Sequence, residues 1–231
     1  QELGDTEALE RVVRETLDGL QDVAARNALR LLLGKAAMHD EARLDDAITA
    51  FRDTLFEEPG HAEALALLSG CLEKSGRTDD LIELLRDQIM GAKDRSDAAT
   101  LKTTALRLGK LLSPEDARDV YEDALTFGDD IELLEALTAS LPEDAEADER
   151  AAVSERILAL DEGESAAERA IALADVYAGM GDGGAELRVL ELGLERAPGS
   201  AAIRQRMEAR YRDDGDYAGL ARVLEARAEA T

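Results

Sequence analysis

Apolar residues recur along most of the chain with the three- and four-residue spacing of an α-helix. Leu187, Leu190 and Leu194 follow this spacing, which places them on one face of a helix. Turn-forming residues divide the helical segments into pairs, so the pattern predicts an all-α chain of consecutive helical hairpins. The predicted hairpins are residues 23–57, 62–91, 98–127, 130–160, 165–196 and 200–230.

Capping and turn residues indicate where the predicted helices begin and end. Pro59-Gly60 and Pro198-Gly199 each end a second helix, since the residue before proline disfavours the helical conformation. Ser113-Pro114 predicts a helix start, with serine as the N-cap and proline in the first turn. Thr78 is predicted to be another N-cap, and residues 91–97 are predicted to form a polar linker.

The hairpins share a repeat period close to 34 residues. Gly181-Asp182 and Gly215-Asp216 are 34 residues apart, and a tyrosine precedes each glycine by four positions. One apolar position in each second helix keeps a similar interval, and these register residues are Phe51, Leu85, Tyr121, Ile157, Leu190 and Leu224. Such a period is typical of stacked hairpins that cannot bury their apolar faces alone. We therefore predict one continuous α-solenoid over residues 1–231.

The beginning of the chain has the pattern of an incomplete hairpin. Gly4-Asp5 precedes apolar residues with helical spacing, from Ala8 to Thr16. This pattern predicts a half-repeat over residues 4–20, of which the first helix is missing. Because the chain also begins with Gln1, we expect it to be a fragment of a longer repeat protein.

The second helices resemble those of the tetratricopeptide repeat (TPR) family, whose unit is a helix–turn–helix of about 34 residues. Small, aromatic, small and proline residues follow one another in the family's order at Ala47, Phe51, Thr54 and Pro59, at Ala117, Tyr121 and Ala124, and in part at Leu190, Gly193 and Pro198. Tyr177 to Asp182 resembles the end of the family's first helix, and Tyr211 to Arg227 resembles repeats of large bacterial proteins. Glu186 departs from a small position, and either Ala185 or a local shift of the register is expected to fill it.

This resemblance implies a right-handed α-solenoid whose first helices line a concave groove where peptides or partner helices dock. By the resemblance, the residues that face this groove are Leu31, Lys35, Met38, Glu63, Ala66, Lys102, Lys110, Ile171, Asp175, Gln205 and Arg212. The family's clamp for a C-terminal carboxylate needs a Lys and an Asn. Lys102 fits one of these places, but Leu106 occupies the place of the Asn.

The charge balance narrows the possible partners. The chain has 52 acidic and 27 basic residues, for a formal net charge of -25. Nucleic acids and anionic membrane surfaces are therefore excluded as expected partners, because both attract Lys- and Arg-rich surfaces. Three explanations of the acidic excess stay open, namely a solvated surface that keeps the protein soluble, a basic partner and adaptation to a saline habitat. The abundance of Ala and the excess of Arg over Lys favour a bacterial source, in the cytoplasm or the periplasm.

Known catalytic and cofactor motifs do not fit the sequence. Gly34-Lys35 lacks the other residues of a phosphate-binding loop. His39 and His61 are the only histidines, and the single cysteine, Cys71, lies in a helical apolar pattern that predicts a core position. Residues 144–149 lack the glycine and the spacing of a calcium loop. We therefore expect no enzyme activity, no cofactor and no metal.

The preferred hypothesis is a protein-interaction scaffold that binds a basic or amphipathic protein or peptide in its concave groove. One alternative is a structural spacer or self-association module within a larger protein, since the half-repeat over residues 4–20 must cover its apolar side. A second alternative is an enzyme or regulatory domain within residues 130–165, where the repeat is recognised by spacing alone. No membrane span is predicted, and the oligomeric state stays open.

Overall fold

A computed structural model describes residues 11–13, 15–17, 19–142 and 145–229 of the chain. These residues form α-helices and one short 3₁₀ helix (Glu41–Arg43), with no strand in the described ranges. The α-helices from residue 23 onwards are α1 (Val23–Ala37), α2 (Leu44–Glu57), α3 (Ala62–Lys74), α4 (Thr78–Asp94), α5 (Ala98–Gly109), α6 (Pro114–Leu125), α7 (Ile131–Ser140), α8 (Ala147–Leu160), α9 (Gly163–Met180), α10 (Gly183–Arg196), α11 (Ala201–Asp214) and α12 (Tyr217–Glu229). The predicted all-α fold of consecutive helical hairpins is confirmed.

Two local predictions are wrong, and the helix ends show why. Thr78 is the first residue of α4, whose N-cap is Arg77 and has no side-chain capping bond. The predicted linker over residues 91–97 is largely helical, because α4 continues to Asp94 and buries Ala92 completely. Ser113 is the predicted N-cap of α6, since its hydroxyl oxygen accepts the Asp116 N–H at 3.2 Å.

The start of the predicted half-repeat lies largely outside the described residues. Of residues 4–20, the structure describes 11–13, 15–17, 19 and 20, and all of these except residue 20 are helical. Gly4-Asp5 and Ala8, from which the half-repeat was inferred, are not among them.

The chain divides into two compact units, Gln1–Asp97 and Ala98–Thr231. In the first unit, α1 to α4 pack in chain order, each on the next. In the second unit, α5 to α12 do the same, and α9 additionally contacts α11 while α8 contacts α10. Each unit is therefore a stack of hairpins, and the continuity of one solenoid over residues 1–231 stays a prediction.

The register residues form the centres of the hairpins. Phe51, Leu85, Tyr121, Ile157 and Leu190 are all buried, and Leu224 in the last hairpin is half-buried. Cys71 is also buried in its helix, as predicted for a core residue. The shared period therefore corresponds to a shared structural position.

Small residues of the first helices make room for the rings of the second helices. A Cβ atom added at Gly34 would lie under 3.0 Å from the ring of Phe51, and one at Gly109 would similarly overlap Tyr121. Because Phe51 is completely buried, its ring has no open space into which it can move. These glycines therefore set how closely α1 approaches α2 and α5 approaches α6.

Gly34→Ala is expected to lower the free energy of unfolding by about 1–3 kcal/mol, through overpacking against Phe51. Gly70→Ala is the matched control, since Gly70 lies within α3 and a Cβ there would meet no atom within 4 Å. The control should be neutral or stabilising by up to about 1 kcal/mol, because alanine is the better helix former. Urea denaturation followed by circular dichroism measures both, and equal effects would contradict the close approach.

Candidate partner-binding surface

The predicted partner-binding residues lie on first helices or directly after them, in both units. In each unit we call the surface that these residues form the first-helix face, defined by Lys35, Glu63 and Ala66 in the first unit and, separately, by Lys102, Asp175 and Gln205 in the second. Each of the six side chains is exposed or half-buried. Each unit therefore has predicted residues that are exposed or half-buried on more than one first helix.

In the first unit, the structure brings two of the predicted residues together. Lys35 Nζ on α1 lies 2.6 Å from Glu63 Oε1 on α3. This hydrogen bond to Lys35 lowers the pKa of the Glu63 carboxyl. Met38 is half-buried, whereas Leu31 is only 7% exposed and forms part of the core. Leu31 is therefore a packing residue with little surface for a partner.

In the second unit, Lys102 on α5 is held by the next hairpin. Its Nζ lies 2.8 Å from Asp130 Oδ2 and 2.8 Å from Glu132 Oε2. The hydrogen bonds to Asp130 and then Glu132 raise the pKa of Lys102. Asp130 also caps α7 by accepting the N–H groups of Glu132 and Leu133. Lys102 is thus engaged within the chain, while Lys110 is exposed just beyond α5.

The remaining predicted residues lie on α9 and α11. Asp175 Oδ1 on α9 pairs with Arg206 Nη2 on α11 at 2.9 Å. Arg212 pairs with Glu208 of its own helix at 3.2 Å. Ile171 is half-buried and Gln205 is exposed. An ion pair between successive first helices is therefore found in both units, once in the first unit and twice in the second among the described residues.

Arg206 belongs to an ion network around one buried carboxylate, which the sequence pattern did not reveal. Its Nε donates to Glu186 Oε1 at 3.1 Å, and the Glu186 side chain on α10 is only 3% exposed. Glu186 Oε2 also lies 3.6 Å from Arg210 Nε. Arg210 Nη2 in turn pairs with Asp214 Oδ1 at 2.9 Å. Ala185 is buried as expected for the small position, and Glu186 is buried beside it. The departure from the family pattern is thus compensated by two arginines of α11.

The two tyrosines that reveal the period have the same structural role. The Tyr177 hydroxyl on α9 donates to Glu155 on α8, and the Tyr211 hydroxyl on α11 donates to Glu191 on α10 at 3.3 Å. Arg188 reaches the same Glu155 oxygen at 2.8 Å and lies over the Tyr177 ring. Burial, followed by the bond to Glu155, raises the pKa of Tyr177 to about 12. Each tyrosine therefore links its hairpin to the preceding one.

A groove of about 470 Å³ lies between α8 and α9, within and beside the region of the enzyme alternative. Its walls are mainly small or apolar, including Ala151, Ala172 and Leu173, with Arg150 and Arg169 beside them. Only one of the lining residues, Glu168, is a carboxylate. The groove therefore lacks the paired carboxylates of a general acid–base site.

Neither a metal site nor a membrane span is found in the parts of the chain that the structure describes. No three His, Cys, Asp or Glu side chains gather there as metal ligands would. None of the described helices is both long enough and apolar enough to cross a bilayer.

Comparison with known proteins agrees with the repeat architecture. Residues 38–104 match a family model described as "Tetratricopeptide repeat", and the chain matches no curated protein. A thermophilic TPR protein of Thermus thermophilus is 24% identical, with 80% of this chain and 98% of that chain covered and a TM-score of 0.31. A tetratricopeptide repeat protein of Parabacteroides merdae is 13% identical, with 98% and 88% covered and a TM-score of 0.41.

A further similar structure is the complex of the TPR2AB domain of yeast Sti1 with pHSP90. It is 14% identical, with 88% of this chain and 90% of that chain covered and a TM-score of 0.37. The stacked hairpins and their common register define a helical repeat protein. More specifically, the chain is similar to TPR proteins, and residues 38–104 match the repeat itself.

Proposed function

We propose that the chain is a non-enzymatic scaffold that binds a basic or amphipathic segment of a partner protein on its first-helix face. The observation that carries this proposal is the engagement of the basic side chains of that face. Lys35 and Lys102, the two basic residues of that face, each pair with a carboxylate of a neighbouring first helix, and Asp175 of the face pairs with Arg206. These intramolecular ion pairs therefore neutralise positive charge that would otherwise attract an acidic partner.

The excess of acid supports the same choice of partner. If every one of the 27 Lys and Arg residues paired with its own carboxylate, 25 of the 52 acidic residues would remain (52 − 27 = 25). Complementary charge mainly raises the association rate and suppresses wrong partners. The hairpin stack is already ordered, so binding costs little conformational entropy on the scaffold side.

The test uses the full chain and a fluorescent synthetic helical peptide of leucine and lysine, with a leucine–glutamate peptide as its acidic counterpart. Fluorescence anisotropy should show binding of the Leu/Lys peptide only, with an association rate that falls as salt is added. Preference for the Leu/Glu peptide, or indifference to salt, would contradict the electrostatic part of the proposal.

Substitutions on the two kinds of helix locate the binding surface. Ala66→Arg with Gln205→Arg adds bulk and charge to exposed positions of first helices, and should weaken binding by about tenfold or more, equivalent to about 1.4 kcal/mol. Ala152→Arg with Ala221→Arg makes the same change of net charge on exposed positions of second helices. Equal weakening by both pairs would refute binding on the first-helix face.

The second candidate function is a structural spacer or self-association module. It predicts that the sedimentation coefficient of the chain alone rises with concentration, because copies associate without another protein. A concentration-independent monomer that binds the Leu/Lys peptide supports the scaffold.

A further inference from the structure

The second helices of the first unit carry two exposed apolar side chains in corresponding positions. Phe56 on α2 is 89% exposed and Met90 on α4 is 60% exposed. They are 34 residues apart, and each comes five positions after a buried register residue, Phe51 or Leu85. Isolated exposed apolar residues are common and are scattered over protein surfaces. Large apolar side chains at the same exposed position in successive repeats instead indicate an interaction surface.

The acidic residue beside each apolar side chain is repeated as well. Asp53 precedes Phe56 by three positions and Asp87 precedes Met90 by three, so each pair lies on one helix surface. Both carboxylates belong to exposed residues, and no Lys or Arg in the described part of the chain pairs with either. Arg52, next to Asp53, is held elsewhere, by Asp80 at 3.1 Å.

Two ion pairs connect this side of α2 with the start of α4. One is Arg52 with Asp80, and the other is Arg77 Nη1 with Asp45 Oδ1 at 3.1 Å. Arg52 lies one helical turn before Phe56, on the same helix surface. The two apolar residues therefore belong to adjoining second helices of one compact unit.

We propose that Asp53, Phe56, Asp87 and Met90, which we call the second-helix patch, bind a cationic amphipathic helix of a partner protein. Apolar side chains of that helix cover Phe56 and Met90, and its Lys or Arg side chains pair with Asp53 and Asp87. Binding through a few apolar anchors with charged neighbours is a common mode of recognition of amphipathic helices. The second-helix patch is separate from the first-helix face and does not depend on the function proposed for it.

The charge of the chain decides between the possible occupants. A second copy would bring another net charge of -25 against acidic Asp53 and Asp87, so the two copies repel each other. An anionic lipid surface is repelled for the same reason. A cationic helix is attracted by these carboxylates and has the apolar side that Phe56 and Met90 require.

The test measures anisotropy of the same fluorescent Leu/Lys peptide with the full chain. The variant and its control are made in a chain that already carries Ala66→Arg with Gln205→Arg, which leaves the second-helix patch as the binding surface. There, Phe56→Ser with Met90→Ser should weaken binding about tenfold or more.

Phe127→Ser with Leu160→Ser is the matched control, because these two residues are 45% and 40% exposed but lie outside both the second-helix patch and the first-helix face. The control should bind as the chain with the two arginine substitutions alone does, and all variants should retain its helical circular dichroism and melting temperature.

The acidic part of the patch is tested in the same assay. Asp53→Asn with Asp87→Asn should weaken binding at low salt and lose most of this effect at high salt. Asp119→Asn with Glu195→Gln removes two exposed carboxylates elsewhere, for the same change of net charge. Equal weakening by the two pairs, or no effect of the serine variants, would overturn the proposal.

Two further measurements test the other occupants directly. Self-association in sedimentation velocity that Phe56→Ser with Met90→Ser abolishes would overturn the proposal in favour of a second copy. Binding to phosphatidylserine vesicles that the same variant abolishes would overturn it in favour of a membrane. The proposed function fails separately, if Ala66→Arg with Gln205→Arg leaves peptide binding unchanged while the serine variant weakens it.

Discussion

Phe51→Ala is expected to lower the free energy of unfolding by about 3–5 kcal/mol, because it removes a fully buried ring and leaves a cavity. Phe51 is 0% exposed and its ring lies against Gly34 of the partner helix in the hairpin. The neighbouring helix cannot close the gap without moving α1 towards α2, which the rest of the hairpin core opposes.

Phe56→Ala is the matched control, since it changes the same residue type five positions further along α2. Phe56 is 89% exposed, so its loss should change the free energy of unfolding by less than about 0.5 kcal/mol. Urea denaturation followed by circular dichroism measures both variants. If the two variants had similar effects, Phe51 would not be a core residue and the common register would lose its structural meaning.

The fold was predictable because its determinants are short-range and repeated. Helical spacing, the N-cap at Ser113 and the 34-residue interval between Tyr177 and Tyr211 are all visible in the order of residues. Repeats reinforce such signals, because each hairpin contacts mainly its neighbours and the same packing recurs. The register residues Phe51 and Ile157 are therefore both buried, even though hairpin 130–160 has little other resemblance to the family.

The end of α4 was harder to predict, because tertiary packing overrides weak local signals there. The segment from Gly91 to Asp97 is polar apart from Ala92, and its composition favours a loop. Burial of Ala92 nevertheless extends the helix by one turn, as packing often does.

The candidate site was predictable only in outline. Resemblance placed Lys35, Glu63 and Asp175 on first helices, and the structure shows each of them in an ion pair with another first helix. The resemblance also placed Leu31 on the side of the helix that faces the groove, but that side chain is buried in the core. Whether a position faces solvent or the core depends on the rotation of each helix about its axis, and the family pattern does not specify it for this chain.

The partners of charged residues were not predictable from one sequence. Arg206 contacts Asp175 and Glu186, which precede it by 31 and 20 residues. Such contacts depend on side-chain rotamers and on the exact offset between helices, which spacing alone does not determine. The excess of acidic residues makes these contacts still harder to predict, because every arginine has many possible partners in the sequence.

Glu186→Ala is expected to lower the free energy of unfolding by about 1–3 kcal/mol, although it restores a small residue where the family has one. Removing this buried carboxylate leaves Arg206 and Arg210 beside an apolar interface without their shared counter-charge. The cost stays below that of a fully buried pair, because both arginines are about one-third exposed and keep Asp175 and Asp214 as partners.

Glu195→Ala is the control for a lost carboxylate on the same helix, since Glu195 is exposed and should change stability by less than about 0.5 kcal/mol. Adding Arg206→Met and Arg210→Met to Glu186→Ala should recover most of the loss, because apolar residues of similar length need no counter-charge. Thermal and urea unfolding of the single, double and triple variants measure this coupling. If Glu186→Ala were neutral by itself, the two arginines would be solvated well enough to need no buried acid. The small position of the family would then tolerate glutamate without compensation from α11.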